Sequence, residues 1–533
     1  MTQGRRAPSP VERFLGLFAE VRRGEGGTVL IMLATIFVLL ACYYILKTVR
    51  EPLVLASAPA DLALLQQATW LSQDIRQVLI DFDTNGAQLK AIAAAGQAIL
   101  LLGFVPAYSW LASRVSRVSL IVGVTLFFIA NIELFFFLRI LGVPLLGFFF
   151  YIWVGIFSVA LIAQFWSFAN DLYTEEQGKR LFPIIGIGAT AGSPLGSIIA
   201  TIVASYIAPG GEGGAAPALD PLQRFVRDLE VDPAFILLQV PALVLLLFMA
   251  LMIWAARRDA VVDPEGEAPE RAGTPDDTDA EPAAEGTGVA KDEAIGGRSG
   301  FALMLASPYI GLIAGVILVL NLVNTTGEFM LSDLVVRTGQ AAVEAGTARD
   351  LGLFINNFYG NFFFYVNIIA FVLQAFVVSR IAKYLGLPGV LLVLPCIALG
   401  AYGLFALGLG LAVVRWAKTA ENSTDYSIMN TGKAMVWLPT SRGAKYKAKQ
   451  AIDTFVVRAG DVVAAVLFIA GTTVWQLGLP GLAAINLVFV GVWLLLTFAL
   501  LRRYRRITDD PAIDPLATGH EPPPAGLPEA AAA

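Results

Sequence analysis

Long apolar segments separated by short polar loops occupy most of the chain. Each segment contains about 20 or more mostly apolar residues, the length that a helix needs to cross a bilayer. The pattern predicts twelve membrane-spanning helices, at residues 26–48, 89–112, 118–138, 144–168, 181–207, 234–256, 303–324, 355–378, 387–410, 412–434, 452–473 and 477–501. We therefore predict an all-α polytopic membrane protein with twelve transmembrane helices.

Arginine and lysine are distributed unevenly between the predicted loops. Alternate loops carry most of them: Arg114, Arg117, Lys179, Arg180, Arg257, Arg258, Arg380, Lys383, Arg442, Lys445, Lys447, Lys449 and Arg502. Because basic loops stay in the cytoplasm, this pattern predicts that both termini are cytoplasmic. No cleavable signal peptide is expected, since the first apolar run is too long for one.

The tenth predicted span breaks the apolar pattern. Steps of three and four residues place these side chains on one helix face: Arg415, Lys418, Asn422, Asp425, Met429 and Lys433. A single Arg, Lys or Asp at the centre of a spanning helix costs about 2.5–3.5 kcal/mol, so other helices must surround this one. We predict that Lys418, Asp425 and Lys433 belong to a substrate site. Asp425 and Glu421 are expected to pair with the cations when the site is empty.

An acidic segment separates the first six spans from the last six. Residues 259–299 contain twelve acidic and three basic residues and are rich in Pro, Gly, Ala and Thr, a composition that cannot bury enough apolar surface to fold. The predicted organisation is a cytoplasmic segment 1–25, a first half 26–257, a disordered cytoplasmic linker 258–300, a second half 301–506 and a disordered tail 507–533. Residues 57–86 are expected to form an amphipathic helix outside the membrane.

The two predicted halves share a faint sequence echo. The stretches WLASRVSRVSLI (110–121) and VVSRIAKYLGLPG (377–389) place similar basic turns between the second and third spans of each half. A six-plus-six duplication with a long central loop is the arrangement of major facilitator transporters, whose halves rock around a central site. The alternative is that these turns only signal topology.

Composition excludes several classes of protein. The chain is 57% hydrophobic and 15% charged, far from the composition of a soluble protein. Its single histidine, His520, lies in a Pro/Ala-rich tail, which argues against His-based catalysis or a metal site in the core. Cys42 and Cys396 fall inside spans, so no disulfide framework is expected. The segment SIMNTGKA is not a P-loop, because Ser427 and Ala434 replace the required glycine and hydroxyl residue. We predict a protein that is not an enzyme, has no cofactor and has no nucleic-acid or obligate protein partner.

Two cations at the end of the first span are candidates for substrate binding. Lys47 and Arg50 lie three residues apart in CYYILKTVREPLVL, close to the predicted membrane boundary. Adjacent cations suit a phosphate-bearing anion, Arg through its planar fork and Lys as a point charge. The alternative is that both side chains extend to the membrane interface. Asn170, polar at the end of the fourth span, joins the candidate site.

Carboxylates within the other spans are candidates for proton or ion-pair sites. Glu133 lies in the third span, and Glu328 lies one turn beyond Asn324 at the end of the seventh. Ionisable residues within membrane spans are usually functional, but Glu133 is equally interpreted as the partner of an arginine. In the eleventh span we interpret Asp453, Arg458 and Asp461 as a structural ion-pair network.

Several of these segments resemble the nucleotide transporter family, the ATP/ADP translocases of plastids and obligate intracellular bacteria. The matching stretches are CYYILKTVREPLVL, FWSFANDLYTEEQGKRLFPIIGIGA, LNLVNTTGEFML and DYSIMNTGKAMVWLPTSRGAKYKAKQAID. The resemblance implies a major facilitator-like fold and exchange of ATP for ADP, or nucleotide uptake.

The resemblance also implies roles for individual residues. Lys47 and Arg50 fall on the family's basic pair after the first span, and Lys433 falls on its lysine in the tenth. Acidic residues that the translocases hold in the fourth and seventh spans fall here on Val154 and Asn324. The resemblance thus implies that the cationic part of the nucleotide site is kept and that part of its acidic portion is missing.

The expected function is a bacterial inner-membrane carrier that binds a nucleotide within the lipid bilayer and exchanges NTP for NDP by alternating access, as an ATP:ADP antiporter does. Two alternatives remain at this point. One is a proton-coupled transporter of phosphorylated or other organic anions, with Glu133 or Glu328 as the proton site. The other is a membrane receptor or assembly protein that has the same fold and transports nothing.

Overall fold

The structure is a computed structural model that describes residues 21–22, 25–56, 72–73, 86–112, 114–141, 143–207, 236–262 and 299–519. The regular structure within these ranges is entirely helical, as the sequence predicts. Most of the predicted acidic linker, most of the predicted amphipathic segment 57–86 and the tail from residue 520 lie outside them.

Twelve helices correspond to the twelve predicted spans. They are α1 (Glu25–Leu55), α2 (Gly86–Ala112), α3 (Arg117–Ile140), α4 (Leu146–Leu172), α5 (Glu175–Ile207), α6 (Gln239–Val262), α7 (Pro308–Glu344), α8 (Leu351–Val372), α9 (Val378–Ala406), α10 (Leu411–Thr424), α11 (Val457–Ile469) and α12 (Leu479–Asp509). Turns of π-helix extend three of them, at Leu373–Val377 after α8, at Asp425–Met429 after α10, and at Ile452–Val456 and Ala470–Val474 on either side of α11. The remaining helical segments are Gly300–Ala306, Asn430–Met435, Arg442–Ala451, Pro511–Ile513 and Pro515–Thr518.

The apolar character of these helices fits a multi-pass membrane protein. Among the described residues, ten helical stretches are long and apolar enough to cross a membrane. One of them, Leu351–Ala406, includes both α8 and α9 and therefore counts as two predicted spans. A kink at Gly386 (φ 61°) separates the two. The polar helix α10 is not among these ten because of its charged residues. The ten stretches contain eleven of the predicted spans, and α10 is the twelfth.

The helices before and after the central gap pack together through two equivalent contacts. We call α1–α6 the first half and α7–α12 the second half. The halves meet mainly where α2 packs against α11 and where α5 packs against α8. Each contact joins the second helix of one half to the fifth helix of the other, which is the symmetry of a duplicated bundle. The polar helix α10 packs against α7, α8 and α9, so other helices surround it.

Glycines spaced four residues apart let α5 approach α1 closely. The sequence spacing of Gly188, Gly192 and Gly196 predicts a helix-packing face made of small residues. In the structure, a methyl group added at Gly192 would overlap the backbone carbonyl of Phe37, and one at Gly196 would overlap that of Ala41. The predicted packing role of these glycines is therefore confirmed.

Two of the boundaries that differ from the sequence prediction change the interpretation of polar residues. The seventh span was expected at 303–324, but α7 extends to Glu344, so Asn324 and Glu328 lie near its middle rather than at its end. The polar residues of this span end its hydropathy signal early. The helix nevertheless continues, because these residues face other helices and not lipid. The tail is also ordered further than expected: the buried carboxylate of Asp514 accepts hydrogen bonds from the Ser307 hydroxyl (3.0 Å) and the Tyr309 backbone N–H (3.1 Å) at the start of α7.

Candidate functional site

A polar cavity of about 320 Å³ lies between the two halves. The first half contributes side chains from α1, α2 and α4, and the second half contributes side chains from α7, α8, α10 and α11. The lining consists of Tyr43, Lys47, Arg50, Glu51, Lys90, Ala94, Gln97, Tyr151, Asn324, Thr325, Glu328, Phe329, Phe363, Asn422, Tyr426, Arg458 and Asp461. Four of these side chains are cations and three are carboxylates, so the lining has one excess positive charge.

Lys47 and Arg50 both line this cavity, as the sequence analysis expects for a substrate site. The Lys47 ammonium lies 4.4 Å from the centre of the Phe363 ring and 3.5 Å from the Tyr426 hydroxyl. Within the part of the chain that the structure describes, no carboxylate lies within ion-pair distance of it. Lys47 is therefore the cavity cation most available to an anionic ligand.

Arg50 is held between a carboxylate and an aromatic ring. Its Nε donates to Glu51 Oε1 at 3.1 Å, and its guanidinium lies 4.3 Å from the centre of the Tyr151 ring. A guanidinium stacked on a ring keeps a fixed orientation and its remaining N–H donors. Arg50 is therefore oriented to bind an oxygen-rich anion in the cavity.

Lys90 is a cavity cation that the sequence analysis did not select. Its buried ammonium lies 2.7 Å from Glu51 Oε2 and donates to Ser332 Oγ at 2.8 Å. The sequence signal was present, because a lysine inside an apolar span needs a partner. The predicted span begins at residue 89, so its sequence alone places Lys90 at the boundary of the span, and the partners of Lys90 lie on other helices.

Arg458 and Asp461 on α11 also line the cavity. Their side chains form an ion pair of 3.0 Å, and Asp461 Oδ1 accepts hydrogen bonds from Asn321 (2.8 Å) and Thr325 (3.0 Å). The interpretation as a purely structural ion pair is therefore too narrow. The pair forms part of the wall that a ligand would meet.

A buried cluster connects Glu328 in the cavity to the interior of the second half. The fully buried Lys418 lies 2.8 Å from Glu421 Oε2 and 3.5 Å from Glu328 Oε1. Glu421 accepts a hydrogen bond of 2.8 Å from the Tyr402 hydroxyl, and Glu328 accepts one of 2.9 Å from Asn422 in the cavity wall. Lys418 thus lies behind the cavity wall, where two carboxylates share its single charge, and it does not line the cavity as a substrate-site residue would.

Asp425 and Lys433 form a separate pair next to the cavity. The Lys433 ammonium lies 3.0 Å from Asp425 Oδ1, and Asn324 donates weakly to Asp425 Oδ2 at 3.5 Å. Neither Asp425 nor Lys433 belongs to the cavity lining. The π-helical turn at Asp425–Met429 adds a residue to the helical turn, so the regular spacing used in the sequence analysis does not continue from Asn422 to Lys433.

The remaining candidates are placed differently. Asn170 is exposed at the end of α4, away from the cavity. Glu133 accepts a hydrogen bond of 3.3 Å from Gln239 of α6 and also lies outside the cavity lining. Val154 is buried in the apolar core of the first half, and Tyr151, one turn earlier on α4, is the α4 residue in the cavity wall.

The cavity combines the two features that a nucleotide requires. Four cations from both halves provide donors for phosphate oxygens. The rings of Tyr151, Phe363 and Tyr426 provide apolar faces against which a base packs. The cavity volume lies within the range of about 300–1,000 Å³ that is typical of small-molecule sites. Among the described residues, no group of His, Cys, Asp and Glu side chains is arranged to hold a metal ion.

Comparison with known proteins agrees with this description. A family model for the TLC ATP/ADP transporter matches residues 146–409. ADP,ATP carrier protein 1 of Chlamydia pneumoniae is 25% identical over 366 residues, an alignment that covers 63% of each protein. The chain therefore spans less than two thirds of the length of this curated relative.

Solved structures share the fold at low sequence identity. The nucleoside transporter NupG aligns with a TM-score of 0.51 at 12% identity, over 89% of this chain and 98% of NupG. An inward-facing bacterial homolog of the human lysosomal transporter Spinster aligns with a TM-score of 0.53 at 12% identity, over 89% and 98% of the two chains. These likenesses concern the fold alone and identify it as major facilitator-like. The family match over residues 146–409 and the carrier relative thus make this chain similar to the TLC ATP/ADP transporters, a family of membrane transporters rather than enzymes.

Proposed function

We propose that the protein is a membrane carrier that exchanges nucleotides of the ATP/ADP type by alternating access. The observation that carries this proposal is the cavity between the halves, in which cations from α1, α2 and α11 face aromatic rings from α4, α8 and α10. The similarity to ATP/ADP transporters supports the choice of a nucleotide over other anions.

Lys47 and Arg50 are the first residues expected to contact the phosphates. Lys47 has no carboxylate to displace among the described residues, and Arg50 keeps N–H donors beyond the one that contacts Glu51. A ligand held by α1 on one side and by α7, α10 or α11 on the other links both halves. A loaded carrier then has a different barrier to rocking than an empty one, which is the physical basis of exchange.

The distribution of basic residues suggests how the carrier is arranged in the cell. We propose from the basic loops that both termini and the acidic segment 258–300 lie in the cytoplasm of a bacterium and that the two halves span the inner membrane. The lipid bilayer and the nucleotide are the partners that transport requires.

One observation favours the proton-coupled alternative as a second candidate. Glu328 lines the cavity and shares Lys418 with Glu421, so two carboxylates share one cation at this point. Of the two carboxylates considered as proton sites, Glu328 is therefore the one placed to sense the ligand, because Glu133 lies outside the cavity. This alternative predicts uptake driven by a pH gradient without internal nucleotide.

Counter-exchange in proteoliposomes tests the proposed function. Vesicles that contain the purified protein and are preloaded with ADP are expected to take up labelled ATP, or another nucleotide of a panel, well above vesicles without internal nucleotide. Uptake that needs a pH gradient and no internal nucleotide would favour the proton-coupled alternative. A protein that transports nothing and whose melting temperature is unchanged by nucleotides, phosphate or organic acids would be the non-transporting receptor, since a ligand at 100 times its Kd stabilises by about 2.7 kcal/mol.

A further inference from the structure

The carboxylate of Glu51 occupies an unusual position in the cavity wall. One oxygen, Oε1, accepts from Arg50 Nε at 3.1 Å, and the other, Oε2, lies 2.7 Å from the Lys90 ammonium. The side chain of Glu51 is only 1% exposed, yet it belongs to the cavity lining. A single anionic group with two oxygens thus connects a cation of α1 to a cation of α2.

The same group connects the two halves of the protein. Lys90 donates to the Ser332 hydroxyl of α7 at 2.8 Å, and that hydroxyl lies 2.8 Å from the Tyr359 hydroxyl of α8. The chain of contacts therefore runs from Glu51 in the first half to Tyr359 in the second. A change in the partner of Lys90 therefore directly affects a hydrogen bond between the two halves.

A phosphate group satisfies the same two donors in the same way as this carboxylate. The carboxylate is planar and the phosphate is tetrahedral, but each has at least two oxygens on one atom. Both groups accept charge-assisted hydrogen bonds from Arg and Lys. Building on the proposed function, we infer that Glu51 is an internal substitute for a phosphate of the cargo: it occupies Arg50 and Lys90 in the empty carrier and competes with phosphate for them.

This competition has consequences for specificity. A cargo must carry a phosphate to displace Glu51, so a nucleoside that lacks phosphate contacts the rings of the cavity but leaves the Glu51 pairs intact. In the empty cavity Arg50 and Lys90 stay paired with Glu51, which lowers the cost of burying these two cations without cargo. Lys90 becomes a specificity-determining cation that binds phosphate only after Glu51 has left it.

Binding measurements on Glu51→Gln test this inference. The Kd values of inorganic pyrophosphate, ATP and adenosine are measured for the purified full chain. Removing the competing charge is expected to tighten pyrophosphate and ATP binding by roughly tenfold, the effect of one hydrogen bond to a charged group, and to leave adenosine unchanged. The double variant Glu51→Gln/Lys90→Gln is expected to lose this gain, because Lys90 itself then no longer binds phosphate.

The control is Asp333→Asn, which alters a buried carboxylate paired with Arg337 at 2.7 Å on α7, outside the cavity lining. This variant is expected to bind ATP as the wild type does. If Glu51→Gln is unstable, pyrophosphate present during purification is expected to restore the folded protein. If the wild type binds ATP, two results overturn this inference and leave the proposed function standing. One is that pyrophosphate fails to restore the variant, and the other is that Glu51→Gln binds ATP no more tightly than the wild type. A wild type that binds no nucleotide overturns the proposed function.

Discussion

Lys47→Ala is expected to reduce the affinity for nucleotide by roughly 30-fold or more. The ammonium of Lys47 lines the cavity between the rings of Tyr44, Phe363 and Tyr426, and among the described residues it has no carboxylate partner. Removing one partner of a buried, charge-assisted contact typically costs about 2–5 kcal/mol. The measurement is the KM for ATP in ADP-loaded proteoliposomes, together with the Kd of the purified protein.

Two matched variants show whether this effect arises from charge in the cavity. Lys47→Arg keeps the charge and is expected to retain most of the affinity. Lys383→Ala removes an exposed lysine on α9, outside the cavity, and is expected to leave exchange unchanged. An affinity of Lys47→Ala within twofold of the wild type would show that the phosphates bind elsewhere.

Lys418→Ala is expected to destabilise the folded protein by about 3–5 kcal/mol, the usual effect of leaving a buried charge without its partner. The fully buried ammonium of Lys418 lies 2.8 Å from Glu421 and 3.5 Å from Glu328, and its loss leaves both carboxylates without a cation. The measurement is the unfolding of purified protein in detergent.

Two further variants distinguish the effect of leaving a buried charge without a partner from the effect of losing any ion pair. The double variant Lys418→Met/Glu421→Gln removes one charge of each sign and is expected to recover most of the lost stability. Lys433→Ala breaks an ion pair on the same polar segment, but the Lys433 side chain is 33% exposed, so a loss of about 1 kcal/mol or less is expected. If Lys418→Ala were as stable as Lys433→Ala, this would contradict the interpretation that Lys418 stabilises a buried cluster with Glu421 and Glu328.

The sequence predicts the fold well because membrane spans are read from one chain segment at a time. Apolar length identifies eleven of the spans, and the charged face of the twelfth requires that other helices surround it. The glycines that bring α5 against α1 follow from their spacing alone. Each of these inferences depends on residues that are neighbours along a single helix.

The site is less predictable because its members are neighbours between helices. Lys47 and Arg50 are found from the sequence, since two cations share one turn of α1. Lys90 is missed, because its partners Glu51 and Ser332 lie on α1 and α7. Asn170 is selected for its polarity alone, and the structure places it on an exposed surface.

The polar helix shows a second limit of sequence periodicity. Regular spacing places Asn422 and Lys433 on the same face, but a π-helical turn intervenes, and only Asn422 reaches the cavity wall. A π turn depends on the packing of the whole bundle, so the local sequence does not reveal it. Lys433 instead pairs with Asp425 beside the cavity.

The accessibility of the cavity from both sides of the membrane tests the central claim most directly. Ala94 lines the cavity and is a small side chain, so Ala94→Cys introduces a thiol there once Cys42 and Cys396 have been replaced by alanine. A membrane-impermeant thiol reagent is expected to label this cysteine from either face of oriented vesicles, and ATP is expected to slow the labelling from both. Labelling from one face only, or labelling that ATP does not affect, would contradict a nucleotide site that opens alternately between the two halves.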